Sequence, residues 1–171
     1  MRPRFRLLLL LLTFSCSLFS PLIVGSASAQ LVPVVVPGPA GSGLFGKTVR
    51  ALPNGNFVVA DPGYDLGAVL DVGAVHLYDG NTLAKIASLT GSTAGDQVGL
   101  DGSDPGIVVL PNGNYVVRSQ NWDNGALANA GAVTYCNSVT GCDGPVSAAN
   151  SLVGSTASDF VGTLVRVLST G

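Results

Sequence analysis

Glutamate is absent from this chain of 171 residues, and all ten acidic residues are aspartate. Aspartate bonds to nearby backbone and favours turns, whereas glutamate suits helix interiors, so the bias points to strands and loops. Histidine is almost absent too. His76 stands alone, which excludes a multi-histidine metal site and gives no Ser-His-Asp or Cys-His constellation to argue from. Cysteine is limited to Cys16, Cys136 and Cys142. None of these is spaced C-x-x-C, so a thiol-redox motif is excluded. Basic residues number only eight against ten acids, and a net-negative chain argues against nucleic acid, which needs a basic footprint.

Much of what basic charge there is lies at the start. Arg2, Arg4 and Arg6 precede an apolar run from Leu7, and Ala27-Ser28-Ala29 supplies an A-x-A cleavage pattern. This order is that of a secretory leader spanning residues 1–29, with Gln30 as the first mature residue. The run is interrupted by Ser15, Ser17, Ser20 and Pro21, which suits cleavage better than a spanning helix. No membrane span is expected after cleavage. Beyond residue 29 the bases are Lys47, Arg50, Lys85, Arg118 and Arg166, five against ten acids, for a net charge of −5. Residues 30–42 form a Pro- and Gly-rich linker. The rest, rich in Gly, Val, Ala, Asn and Thr, reads as all-β with many turns.

What is present in abundance is repetition. Leu52-Pro53-Asn54-Gly55-Asn56-Phe57-Val58-Val59 returns as Leu110-Pro111-Asn112-Gly113-Asn114-Tyr115-Val116-Val117. Gly91-Ser92-Thr93-Ala94-Gly95-Asp96 returns as Gly154-Ser155-Thr156-Ala157-Ser158-Asp159. The offset is 58 between Leu52 and Leu110 and 63 between Leu89 and Leu152. Two five-residue insertions therefore enter the second copy, one near Asp101 and one between Tyr135 and Leu152. Copy 1 covers residues 43–99, copy 2 residues 100–162, and residues 163–171 begin a third. Each copy reads as four short strands. The expected strands of copy 1 are residues 47–52, 57–60, 73–78 and 83–89, with an Asn-Gly hairpin turn after the first.

A four-stranded antiparallel unit of this length has the size of a propeller blade. Leu44-Phe45-Gly46-Lys47-Thr48-Val49, then a hairpin, then Gly73-Ala74-Val75, resembles the FG-GAP repeat of integrin alpha-subunit propellers. Trp122-Asp123-Asn124-Gly125 and Asn129-Ala130-Gly131-Ala132-Val133 are more similar to the tandem Leu-Pro-Asn-Gly-Asn repeats of large secreted bacterial proteins. The resemblance implies a β-propeller in a surface or adhesive setting. The expected fold is an all-β, partial (open) β-propeller of two four-stranded antiparallel blades plus a truncated third, within a longer protein. FG-GAP blades often carry a calcium loop between their first two strands. Pro53-Asn54-Gly55-Asn56 and Pro111-Asn112-Gly113-Asn114 offer no carboxylate there, so calcium is not carried over.

Several residues remain as candidates for chemistry. Asp101, Ser103 and Asp104 place two carboxylates and a hydroxyl within four residues, the best remaining calcium candidate; a solvated turn is the preferred reading. Asp96 and Asp159 share a repeat position, and each suits a turn in which the carboxylate accepts backbone N–H groups. Tyr64-Asp65 and Trp122-Asp123 are aromatic-acid pairs on equivalent loops. They would serve a protein or glycan site as platform and acceptor, or else pack between blades and cap a turn. Asp61, Asp65 and Asp71 form a carboxylate cluster of the kind glycosidases use, yet the matching residues are Ser119, Asp123 and Asn129. His76 is matched by Thr134. Cys136 and Cys142 flank a turn beside the second insertion, and an even pair in an exported chain suggests a disulfide.

These readings favour a secreted or cell-surface repeat module for binding or adhesion. No cofactor and no enzymatic activity are expected. The partners expected are an extracellular protein or glycan, or further propeller repeats, with self-association through open strand edges as an alternative. A spacer without its own ligand is the other non-enzymatic reading.

Overall fold

The chain divides into two units, Met1–Val34 and Val35–Gly171, and every element named below lies in the second. The computed structural model describes residues 33–100, 102 and 106–168. The expected leader with its Ala27-Ser28-Ala29 pattern lies outside the described residues, as do Asp101, Ser103, Asp104 and residues 169–171.

Among the described residues the fold is all-β and contains no helix. Copy 1 supplies β1 (Thr48–Ala51), β2 (Phe57–Asp61), β3 (Ala74–Tyr78) and β4 (Lys85–Thr90). Copy 2 supplies β5 (Ile107–Val109), β6 (Tyr115–Ser119), β7 (Ala132–Cys136), β8 (Gly144–Pro145) and β9 (Ser151–Val153). Two sheets result, in the order β1-β2-β3-β4-β8 and β5-β6-β7-β9. Within each copy the named strands pair antiparallel, and the register is the same. Phe57 faces Tyr78 as Tyr115 faces Cys136, and Ala74 faces Thr90 as Ala132 faces Val153. Parallel bridges from Gly73 to Val98 and from Gly131 to Val161 also repeat. The side-chain alternation of strands makes any slip costly once one face is buried, so equal sequence patterns settle into equal registers.

The Leu-Pro-Asn-Gly-Asn hairpins depart from a two-residue turn. Gly55 N donates to Leu52 O at 3.0 Å and Leu52 N to Asn56 O at 2.8 Å; Gly113 and Leu110 repeat both bonds. Of the loop residues only Gly55 (φ 91) and Gly113 (φ 85) have positive φ. The proline lengthens the loop to three residues, so one glycine, not an Asn-Gly pair, supplies the left-handed position. The fourth strand also starts later than residue 83. Leu83 itself has φ 60, and Asp79 Oδ1 accepts the Asn81 and Thr82 amides at 2.9 and 2.8 Å. This side-chain capping extends the turn and delays β4 to Lys85.

One hydrophobic core spans both copies. Leu52, Val58, Val75, Leu77, Leu89 and Val98 of copy 1 join Ile107, Tyr115, Val117, Trp122 and Val146 of copy 2. The second insertion has a structural use here. Leu89 and Thr90 on the outer edge of β4 pair in parallel with Gly144 and Pro145. Val146 N donates to Thr90 O at 2.9 Å, and Asp143 Oδ1 accepts the Ser88 amide at 3.2 Å. A segment of copy 2 thus covers a sheet edge of copy 1 that would otherwise present unpaired backbone groups.

Candidate functional site

The loop after the second strand of each copy is organised by an aspartate. Asp65 Oδ1 accepts the Asp71 amide at 2.8 Å, and Asp123 Oδ1 accepts the Asn129 amide at 2.7 Å. Asp71 and Asn129 both adopt φ 52, and an aspartate or asparagine tolerates this region better than other non-glycine residues. The aromatic before each aspartate turns inward. Trp122 is buried in the shared core. Tyr64 is half-buried, with its ring edge-on to His76 at 5.7 Å.

Asp96 and Asp159 bind backbone, by reaching back along the chain. Asp96 Oδ2 accepts the Ser92 and Thr93 amides, each at 2.8 Å. Asp159 Oδ2 accepts those of Ser155 and Thr156 at 2.9 and 2.8 Å. Asp96 does more. Its Oδ1 accepts the Asp123 amide at 3.0 Å, across the boundary between copies. Burial pushes the Asp96 carboxyl above its ordinary value, and the three amides oppose that shift. The Asp65 amide makes the equivalent bond to Gly41 O at 2.8 Å, so the residues before copy 1 stand in for the end of a preceding repeat.

A second seam joins the hairpin turns. Asn54 Nδ2 and Asn56 Nδ2 both donate to Ser138 O, at 2.8 and 3.0 Å. Ser138 N in turn donates to Asn114 Oδ1 at 2.9 Å. A disulfide between Cys136 and Cys142 closes the turn that carries Ser138, with a Cα separation of 5.1 Å.

Sequence patterns did not point to three further features. His76 is buried and sits among Phe45, Tyr64 and Tyr78, with ring centroids 5.7 to 6.4 Å away. Its Nδ1 pairs with Ser88 Oγ at 2.9 Å, as Thr134 Oγ1 pairs with Ser151 Oγ at 2.7 Å in copy 2. Burial, reinforced by Lys85 and opposed by Asp61, pushes the imidazole down to about 4. Asp61 is buried nearby and accepts the Leu44 amide at 2.7 Å. Arg118 is buried, and its guanidinium donates to the carbonyls of Gly162 and Thr163, which ties the start of the third copy to copy 2. The signal for Arg118 was its place in an otherwise apolar strand.

The third feature is a groove of about 480 Å³ between β1, β5 and residues 165–167. Arg50, Val108 and Arg166 line it and occupy the same position in the three copies. Ile107, Val109, Val165 and Val167 are its other lining residues, so the trough is mainly apolar. Among the described residues no group of three His, Cys, Asp or Glu side chains converges as a metal site would require. Nor does any helix among them have the length and apolarity to cross a membrane.

A family model described as a repeat of unknown function (DUF5650) matches residues 51–100 and again residues 109–163. No curated protein and no solved structure matches the chain.

Proposed function

The chain belongs to the DUF5650 family of repeats, and from that premise we propose that it is an exported repeat module that binds an anionic stretch of an extracellular protein or glycan. The observation that carries this reading is the groove where equivalent first strands meet. Arg50, one of the five basic residues beyond residue 29, lines this trough. In an acidic chain, a cation beside apolar walls favours a ligand with negative charge and an apolar backbone. Export is supported by the basic-apolar-Ala27-Ser28-Ala29 order and by the Cys136–Cys142 disulfide, since such bonds persist in oxidising compartments. Four antiparallel strands in one order, contributed by each copy to its own sheet, support a propeller-type arrangement of FG-GAP-like blades.

No catalytic role enters this reading. Asp61 and Asp65, the acids that a glycosidase would need, each accept a backbone amide. A spacer without its own ligand is the second reading. It is favoured by the loop carboxylates, since Asp65, Asp79, Asp96, Asp123 and Asp159 all serve the backbone of the repeat. An array of sulfated and uronate glycans and acidic peptides separates the two. Binding that weakens with salt and is lost in Arg50→Ala supports the ligand reading. Absence of binding to every probe overturns it in favour of the spacer.

A further inference from the structure

Equivalent residues of the two copies differ in exposure, and the difference maps a face. Leu77 and Leu89 are 0% and 1% exposed, whereas Tyr135 and Leu152, at the same repeat positions, are 55% and 71% exposed. Asp96 is buried and Asp159 is exposed. Sequence alone does not explain the contrast, because both copies fold in one register. Copy 1 has copy 2 packed on this face, and copy 2 has no described neighbour there.

The opposite face shows the complementary pattern. Ile107 is 1% exposed against copy 1, while its equivalent Val49 is 52% exposed. The hydrogen-bond seams have matching loose ends. Asn56 reaches forward to Ser138 O of the next copy, but its equivalent Asn114 turns its amide to Tyr135 Oη of its own copy at 2.5 Å. Asp96 Oδ1 takes the next copy's loop amide, and Asp159 stands at the same point of copy 2.

We propose that the exposed face of copy 2, centred on Tyr135, Leu152 and Asp159, docks copy 1 of a second molecule of this chain through its Val49 face. The interface would continue the one already present between copies 1 and 2. The Gly80 carbonyl of the incoming molecule holds the place of Ser138 O opposite Asn112 and Asn114, while its Asp65 amide keeps its bond to Gly41 O at 2.8 Å, so the Asp96–Asp123 bond has no counterpart at the new joint. Such a contact is head-to-tail, with different surfaces meeting, so it propagates and does not close on itself as a two-fold dimer does. Two features make it weaker than the internal interface. Copy 1 has no counterpart of β8 to cover the β9 edge. The incoming first strand must also displace residues 164–168, which form no strand.

The inference does not rest on the ligand reading, though the docking it describes displaces the residue 165–167 wall of the groove, and it is tested by sedimentation velocity on the purified chain. Val49 and Leu152 are both exposed, so Val49→Asp and Leu152→Asp leave the core intact, which unchanged Trp122 emission verifies. The wild type is expected to form larger species as concentration rises. Each variant alone should remain monomeric, and an equimolar mixture of the two should recover dimers, because one intact face of each kind is then available. A wild type that stays monomeric at every concentration overturns the proposal. So does self-association of Val49→Asp alone, which would mean that the copy 2 face pairs with itself.

Discussion

The carboxylate of Asp96 accepts a hydrogen bond from the amide of Asp123 at 3.0 Å, and this bond crosses from one copy of the repeat to the next. The same carboxylate holds the Ser92 and Thr93 amides. Replacing Asp96 by alanine strands three backbone donors, one of them at the joint between copies. An unsatisfied buried donor costs about 1–3 kcal/mol, so Asp96→Ala is expected to lose about 3 kcal/mol in urea unfolding. Asp159→Ala removes the same local turn bonds on an exposed surface, where water replaces them, and should lose under about 1 kcal/mol.

His76 makes stability depend on pH. In the folded chain its imidazole is pushed from 6.5 down to about 4, first by burial. Between those values the unfolded chain binds a proton that the folded chain refuses, so stability falls as pH falls through the window. The contribution is fully present above about pH 6.5 and amounts to at most about 3 kcal/mol lost by pH 4. Asp96, whose carboxyl is raised, works in the opposite sense. The His76 part is therefore read as the difference between the wild type and His76→Thr, the residue that copy 2 uses. The variant should show a flatter profile of unfolding free energy between pH 4 and 6.5.

Gly141 is fixed by both its backbone and its neighbour. It has φ 73, and a Cβ there would lie 2.6 Å from Ala87 Cβ of copy 1. Gly125 has φ 62 and nothing within 4 Å. The left-handed conformation costs an L-residue about 1–2 kcal/mol, and overpacking adds about 1–3 kcal/mol. Gly141→Ala should therefore lower stability by about 3 kcal/mol and Gly125→Ala by about 1 kcal/mol, measured by denaturant unfolding.

The self-alignment of the sequence made the strands and their register legible, because an offset of 58 carries Phe57 to Tyr115 and Tyr78 to Cys136. It could not show what covers each copy. Leu77 and Tyr135 are equivalent in the alignment and opposite in burial, and only the packed neighbour separates them. The same limit hid His76. Its replacement by Thr134 correctly argues that imidazole is not required by the repeat, yet burial among Phe45, Tyr64 and Tyr78 is what sets its titration. The groove was hidden for another reason. Arg50 and Arg166 lie far apart in sequence, and only the meeting of equivalent first strands brings them to one trough.

The claim on which the rest depends is that copy 2 completes the core of copy 1. Trp122 is the only tryptophan and lies in that shared core, whereas far-UV ellipticity reports both sheets. Urea unfolding followed by the two signals on one sample is predicted to give superimposable transitions with a single midpoint. A Trp122 transition complete at lower urea, with much of the sheet signal still present, would contradict it.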